Sequence, residues 1–154
     1  MATETDKTNV IKKLVPALGM KNAQPGGIAE NITAESVELG EVQLQFAEIV
    51  WANAPVASGE LVKICRKELD WKKPTTYTVL RKLCEKGIFV NDSGIVRTVI
   101  DRERFYSAKS GFFVEKEFGG SLPLFLTAFA SHKALSQKEV DEIQKLIDEY
   151  RKES

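Results

Sequence analysis

The sequence contains few of the residues on which most enzymes and metal sites depend. Its 154 residues include two cysteines, Cys65 and Cys84, and one histidine, His132. Two cysteines cannot form a disulfide framework, and one histidine offers little for metal binding or for histidine-based acid–base catalysis. The composition therefore argues against hydrolase chemistry, and we predict a protein that is not an enzyme and that uses no metal or other cofactor. Both cysteines are predicted to be buried structural thiols.

Long apolar segments are absent as well. No uninterrupted apolar run approaches the roughly 20 residues that a membrane-spanning helix needs. Lys12, Lys13 and Pro16 interrupt any signal-peptide core. We therefore expect a cytoplasmic protein with no membrane insertion. Hydrophobic residues make up 43% of the chain and charged residues 29%, which predicts a folded chain with one compact domain or one small domain and an accessory element.

The net charge is zero, but the charges are unevenly distributed. Residues 1–38 contain four Lys or Arg and five Asp or Glu, residues 39–110 contain twelve and nine, and residues 111–154 contain six and eight. A basic middle between mildly acidic ends is typical of a nucleic-acid-binding segment joined to other elements. An ordinary solvent-facing surface would give the same small excess of charge.

Local sequence signals divide the first part of the chain into a flexible arm and three helices. Residues 1–38 are largely polar and contain Pro25-Gly26-Gly27, so we predict a flexible N-terminal arm there. Helical spacing then predicts one helix that ends at Asn53. Ser58 is predicted to be the N-cap of a second helix that runs through Leu69. A third begins near Pro74, which is favoured at the first helical position, and ends at Gly87, because glycine is favoured just after a helix.

After the third helix the pattern changes from helix to strand. Ile88-Phe89-Val90 and Ile95–Ile100 are rich in β-branched and apolar residues, and the turn-forming sequence Asn91-Asp92-Ser93-Gly94 separates them. This pattern predicts a β-hairpin, and we expect Phe105 and Tyr106 to extend its second strand.

Three helices followed by a β-hairpin are typical of a winged helix-turn-helix domain. We therefore predict a mainly α fold with a small β-hairpin. The predicted winged helix domain covers residues 39–109, and a helical segment covers residues 110–154.

The third helix carries the strongest functional signal. Hydroxyl groups near a helix N-terminus can contact base edges or phosphates, and lysine and arginine neutralise the DNA backbone. The alternative is that the threonines cap the helix and the cations form an ordinary solvated face. The predicted DNA-binding residues in this segment are Lys72, Lys73, Thr75, Thr76, Tyr77, Thr78, Arg81 and Lys82.

The predicted hairpin adds further cations. Arg97 lies in the second strand, and Arg102 and Arg104 follow it. A wing beside DNA would place such arginines on phosphates or in the minor groove. Surface ion pairs with the interleaved Asp101 and Glu103 are an equally good interpretation. We include Arg97 among the predicted DNA-binding residues.

The C-terminal segment contains an apolar face that one small domain cannot easily bury alone. Ser136-Gln137-Lys138-Glu139 is a capping box and predicts the start of the last helix. A second copy of the chain is the simplest partner for the apolar face. The predicted dimerisation residues are Phe125, Phe129, Val140, Ile143, Leu146, Ile147 and Tyr150.

Several short motifs together resemble one known family. The matching segments are Ile49-Val50-Trp51, Trp71, Thr75–Leu83, Glu85-Lys86-Gly87-Ile88, Phe105-Tyr106-Ser107 and Phe118-Gly119-Gly120-Ser121. From Leu39 to Tyr150, the chain resembles the penicillinase-repressor (BlaI/MecI/CopY) family of bacterial transcriptional regulators.

The resemblance implies a homodimer with a winged helix domain and a C-terminal dimerisation domain. It implies repression of transcription by sequence-specific binding to a palindromic double-stranded DNA operator, with base and phosphate contacts on Thr75–Lys82. It also implies release by an upstream signal, in which a membrane sensor protease triggers cleavage at an Asn-Phe bond. The aligned pair here is Ala128-Phe129, so both this route and another releasing signal stay open.

The alternative function is a protein-interaction module on a winged helix scaffold that does not read DNA. The near-neutral charge is compatible with it. A thiol-based enzyme would need an activated cysteine, and the apolar settings of Cys65 and Cys84 oppose that interpretation.

Overall fold

The computed structural model describes residues 32–153, which divide into two compact units. The boundary lies between Ser110 and Gly111. We call residues 32–110 the winged unit and residues 111–153 the C-terminal unit. The predicted mainly α fold with a winged helix arrangement and C-terminal helices is confirmed. Residues 1–31 of the predicted arm, which covers residues 1–38, lie outside the described residues.

Three helices form the body of the winged unit, and each one buries a short face. Phe46, Ala47 and Val50 are the buried residues of the first helix. Three buried positions in each of the next two helices continue this core: Leu61, Val62 and Cys65 in the second helix, and Thr76, Leu80 and Leu83 in the third. The helices are α1 (Glu41–Asn53), α2 (Ser58–Leu69) and α3 (Lys73–Glu85).

A three-stranded antiparallel sheet completes the winged unit. Its strands are β1 (Val56–Ala57), β2 (Phe89–Asp92) and β3 (Ile95–Thr98), in the order β1-β3-β2. The predicted hairpin is therefore present, and β1 adds a third strand that the sequence analysis did not predict. A two-residue strand carries too little periodicity to be recognised locally.

The hairpin turn is tighter than the predicted four-residue turn. Asp92 pairs with Ile95, so only Ser93 and Gly94 lie between the strands. Both have positive φ, 50° and 90°, which is the backbone conformation that a type I′ hairpin turn requires at both positions. Because β1 pairs with the other side of β3, β2 lies at an edge of the sheet, beside α3.

The prediction that Phe105 and Tyr106 extend the second strand is wrong. They lie on a 17-residue helix, α4 (Arg102–Phe118). The carboxylate of Asp101 accepts a hydrogen bond from the backbone N–H of Arg104 at 2.8 Å, and a side chain that accepts in this way stabilises a helix start. Phe105 is fully buried, with its ring centre 5.1 Å from that of Trp51.

The segment just before α1 packs into the winged unit. Ile32 and Val37 are buried. The ammonium group of Lys86 donates hydrogen bonds to the backbone carbonyls of Glu35, at 3.3 Å, and Glu38, at 2.7 Å. The predicted arm extended to residue 38, whereas these contacts make residues 32–38 part of the folded unit.

The C-terminal unit contains the end of α4 and two further helices. These are α5 (Leu122–His132) and α6 (Gln137–Glu153). Ser136 Oγ accepts from the backbone N–H of Glu139 at 3.1 Å, which confirms the predicted start of the last helix. Within residues 32–153, no helix is both long enough and apolar enough to cross a bilayer.

Candidate nucleic-acid interface

Helix α3 presents a polar face to solvent. Thr75, Thr78 and Lys82 are exposed and are separated by three and four residues, which makes them neighbours on one side of the helix. Arg81 is exposed beside them. Two hydroxyls followed by two cations thus lie along the exposed side of the helix, a combination that can contact both base edges and phosphates.

The start of α3 is strongly cationic. Lys72 and Lys73 are exposed at the helix N-terminus, and the first turn contains no acidic residue. The partial positive charge of a helix N-terminus adds to these two ammonium groups. Pro74, the second residue of α3, has no N–H to leave unsatisfied at this position.

Thr76 does not belong to the exposed face. Its side chain is 1% exposed and lies with Leu80 and Leu83 on the buried side of α3. The prediction that Thr76 contacts DNA is therefore wrong. Each residue turns an α-helix by about 100°, so Thr76 points away from Thr75.

Tyr77 is half-buried and connects two helices. Its hydroxyl donates a hydrogen bond to Ser58 Oγ at 3.1 Å, which joins the start of α3 to the start of α2. The ammonium group of Lys73 lies 6.0 Å from the centre of the Tyr77 ring. This hydrogen bond orients the phenol, and the DNA contact of Tyr77 stays a prediction.

Each of the two exposed arginines of this surface lies near a carboxylate. The Nε–Oε1 distance from Arg81 to Glu85 is 4.0 Å, and the Nε–Oδ2 distance from Arg97 to Asp92 is 3.7 Å. The side chains are 53–71% exposed, and ion pairs this exposed stabilise a fold by only about 0–1 kcal/mol. A phosphate can therefore replace either carboxylate at little cost.

An open groove between α3 and β2 adds residues that the sequence analysis missed. Val90 and Asn91 line it on the strand side, opposite Thr78 and Arg81. Val90 is 42% exposed and is paired across the hairpin with Arg97. The sequence did not predict that Val90 is exposed. Residues 88–90 are all apolar, so there is no alternation of polar and apolar residues to show which side chain faces solvent.

Arg102 and Arg104 lie outside the hairpin, on α4. Arg102 Nε donates to a carboxylate oxygen of Glu48 at 2.7 Å. The sequence analysis offered two interpretations of Arg102: a phosphate contact, or an ion pair with the neighbouring Asp101 or Glu103. Both are wrong, because Arg102 pairs with Glu48 on α1.

The two thiols are poor candidates for chemistry. Burial raises the pKa of Cys65 and of Cys84, which keeps both protonated and weakly nucleophilic at neutral pH. Among residues 32–153, no group of three His, Cys, Asp or Glu side chains is arranged to hold a metal ion.

Apolar side chains are exposed on the C-terminal unit. On α6, Val140, Leu146, Ile147 and Tyr150 are each 41–54% exposed. On α5, Phe129 is 41% exposed, and the four rings of Phe113, Phe118, Phe125 and Phe129 form a chain of aromatic contacts. Ile143 and Phe125 are half-buried. Exposed apolar surface of this kind commonly marks an interaction site.

Comparison with known proteins places this architecture in a family. The model of the family described as penicillinase repressor matches residues 39–149, which include all of the winged helices, the sheet and most of α6. The chain belongs to the penicillinase repressor family. This is a family of transcriptional repressors, so the chain is a DNA-binding regulator of transcription by family membership.

Individual relatives of the family are similar over most of their length. The penicillinase repressor of Bacillus licheniformis is 21% identical over 118 residues, which cover 74% of this chain and 92% of the relative. The methicillin resistance regulatory protein MecI of Staphylococcus aureus strain N315 is 19% identical over 118 residues, with 74% and 96% covered. The penicillinase repressor of Staphylococcus aureus is 23% identical over 128 residues, with 77% and 97% covered.

Proposed function

We propose that this penicillinase repressor family member is a homodimer that binds a palindromic operator and blocks transcription from it. The observation that carries the proposal is the exposed face of α3, where Thr75, Thr78, Arg81 and Lys82 combine hydroxyls with cations. Family membership supports the class of function, and the face of α3 supports the residues that perform it.

Helix α3 is the reading element of this proposal. Its N-terminal half enters the major groove, where the hydroxyls of Thr75 and Thr78 reach base edges. Lys72 and Lys73 bind phosphates near the helix N-terminus. Arg81 and Lys82 bind phosphates further along the helix, and Arg97 does so from the hairpin. The resulting contacts fix the register of the protein and neutralise the DNA backbone.

The C-terminal unit supplies the dimer. The exposed apolar residues of α6 pack against a second copy of the chain, since a two-fold axis lets one face cover itself. Two linked winged units then bind two half-sites together, and the linkage raises affinity without new contacts to DNA. In this proposal, residues 39–109 bind DNA and residues 110–154 form the dimer.

Relief of repression requires loss of that linkage or of the DNA contacts. The family resemblance suggests a sensor protease, and Ala128-Phe129 occupies the position of the Asn-Phe bond. Phe129 contributes to the aromatic contacts of α5, with its ring centre 6.3 Å from that of Phe125. A cut at this bond would therefore disrupt the dimerisation surface, and we expect a protease of different specificity or another signal.

The experiment is selection of binding sites from random double-stranded DNA, followed by affinity measurement over a range of salt concentrations. We expect enrichment of one inverted repeat and a preference for it over unrelated DNA. Thr78→Ala should reduce this preference by roughly 1–3 kcal/mol if it removes a base contact. Lys145→Gln on α6 serves as the control, because it changes a cation outside the proposed interface.

A protein-interaction module remains the second candidate, supported by the zero net charge and by Glu85 and Asp92 beside the interface arginines. Equal, weak affinity for all DNA sequences at physiological salt would favour that function and contradict the repressor proposal.

A further inference from the structure

Glu48 is at the centre of a partly buried polar cluster outside the DNA-facing surface. One of its carboxylate oxygens accepts from Arg102 Nε at 2.7 Å, and the other accepts from the Tyr106 hydroxyl at 2.9 Å. The side chains of Glu48 and Arg102 are 28% and 22% exposed. The ion pair between Glu48 and Arg102 joins α1 to α4. We call Glu48, Arg102 and Tyr106 the Glu48 cluster.

The cluster holds the first turns of α4 against α1. Arg102 and Tyr106 are four residues apart, so both project from the same side of α4 towards Glu48. The guanidinium of Arg102 lies 5.6 Å from the centre of the Tyr106 ring, which stacks the two partners against each other. Burial and the negative charge of Glu48 raise the pKa of Tyr106, so the phenol stays protonated and continues to donate.

Trp51 provides a second attachment at the same place. Its indole N–H donates to the backbone carbonyl of Ile100 at 3.0 Å, immediately before α4. Its ring also contacts Phe105 and Tyr106, with centres 5.1 and 6.2 Å apart. One side of α1 therefore fixes both the position and the rotation of the first turns of α4.

Helix α4 crosses the boundary between the winged unit and the C-terminal unit. It is continuous from Arg102 to Phe118, and a 17-residue helix is about 25 Å long. A tilt of about 10° at its start would therefore move its far end by about 4 Å. This exceeds the rise of one base pair, about 3.4 Å.

We propose that the Glu48 cluster is a positioning element that determines which spacing between two operator half-sites the dimer accepts. The inference rests on the proposed function, because spacing has a meaning only for two linked winged units on one DNA. The cluster acts through α4 and makes no contact with DNA itself. Loss of the carboxylate charge leaves Arg102 without its partner and lets the first turns of α4 tilt.

A substitution at Gly111 can stiffen α4, whereas substitutions in the Glu48 cluster loosen its attachment. Gly111 lies inside α4 at the boundary of the two units, and an added Cβ would meet no atom within 4 Å. Glycine inside a helix permits bending that alanine reduces. Gly111→Ala should therefore stiffen α4 without a clash, whereas Glu48→Gln and Tyr106→Phe loosen its attachment.

The test uses the full chain and the half-site sequence selected by the wild type. A DNA library holds two inverted half-sites constant and varies the spacer from zero to twelve base pairs. We expect the wild type to enrich one spacing at least tenfold over its neighbours. Glu48→Gln and Tyr106→Phe should spread the enrichment over neighbouring spacings to less than threefold, with unchanged affinity for a single half-site. Gly111→Ala should narrow the distribution.

Glu60→Gln is the matched control, because Glu60 forms an exposed ion pair with Lys63 within α2, at 3.8 Å. It should keep the wild-type spacing. A folded Glu48→Gln or Tyr106→Phe protein that selects the wild-type distribution would overturn the inference, and so would an unchanged distribution for Gly111→Ala. If the wild type selects no paired half-sites at all, the proposed function fails first and the inference fails with it.

Discussion

The hydroxyl of Tyr77 donates a hydrogen bond to Ser58 Oγ at 3.1 Å and so ties the start of α3 to the start of α2. These are the two helices of the helix-turn-helix, and their N-termini meet at this contact. The bond orients α3 before any DNA is present. A helix that is already held in place loses less conformational freedom when it binds a partner, and our proposal makes α3 the helix that binds DNA.

Loss of the Tyr77–Ser58 hydrogen bond should destabilise the fold, and the effects of substituting its two partners should not be additive. Tyr77→Phe and Ser58→Ala each remove one partner, and each should lower the free energy of unfolding by about 0.5–1.5 kcal/mol. Because both break the same bond, the double variant should lose less than the two single losses together. Urea denaturation of the four proteins measures this, and strictly additive losses would show that the bond contributes nothing.

Tyr77→Phe also tests the predicted base contact. If the phenol hydroxyl reaches a base, Tyr77→Phe should reduce preference for the selected site more than Ser58→Ala does. Equal effects of the two variants on DNA binding would assign the hydroxyl to the helix–helix contact alone.

Thr76 and Thr78 should respond in opposite ways to the same substitution. The buried Oγ1 of Thr76 makes no hydrogen bond with any described residue, and an unsatisfied buried hydroxyl costs about 1–3 kcal/mol. Thr76→Val should therefore maintain or raise the midpoint of thermal unfolding and leave DNA binding unchanged. Thr78→Val should leave stability unchanged and weaken operator preference. The reverse pattern would contradict the faces that we assign to α3.

Lys82 should contribute to affinity for every DNA sequence. Loss of one phosphate contact lowers the slope of log affinity against log salt concentration by about 0.9. Lys82→Gln should therefore flatten the slope by about that amount on operator and on unrelated DNA. Fluorescence anisotropy at several salt concentrations measures it, with Lys145→Gln as the control. A change confined to the operator would indicate a base contact instead.

The apolar face of α6 should determine the oligomeric state. Leu146 and Ile147 are 43% and 46% exposed, and a charge buried at an interface carries a large desolvation penalty. Leu146→Asp or Ile147→Asp should give a monomer in sedimentation experiments and a large loss of operator affinity. Lys145→Asp, on the same turn, should remain dimeric. Dimers of unchanged stability in all three variants would place the interface elsewhere.

The thiols should be protected in the folded protein. Burial raises the pKa of Cys65 and of Cys84, and a raised pKa means less of the reactive thiolate at any given pH. A thiol-specific reagent at pH 8 should modify Cys65 at a rate close to that of global unfolding, and Cys84, which is half-buried, more quickly. Rapid modification of both thiols in the native protein would contradict the burial of Cys65.

Local signals in the sequence were sufficient to predict most of the helices and the hairpin. Pro74 and Gly87 bracket α3, the capping box begins α6, and Ser93-Gly94 forms the turn between β2 and β3. Each of these signals acts within about four residues, so it is readable without knowledge of the rest of the chain. Even the burial of Thr76 had a local signal, since Thr76, Leu80 and Leu83 have helical spacing.

Other features depended on residues that are distant in the chain. Arg102 finds its partner in Glu48, 54 positions earlier, and Lys86 holds the segment 32–38 from about 50 positions away. Sequence periodicity reports which side of an element is apolar, but it does not report which elements meet. The third strand and the folded end of the predicted arm were therefore decided by tertiary contacts, because their stabilising partners are distant in the sequence. The start of α4 combines a local cap from Asp101 with the distant partners Glu48 and Trp51.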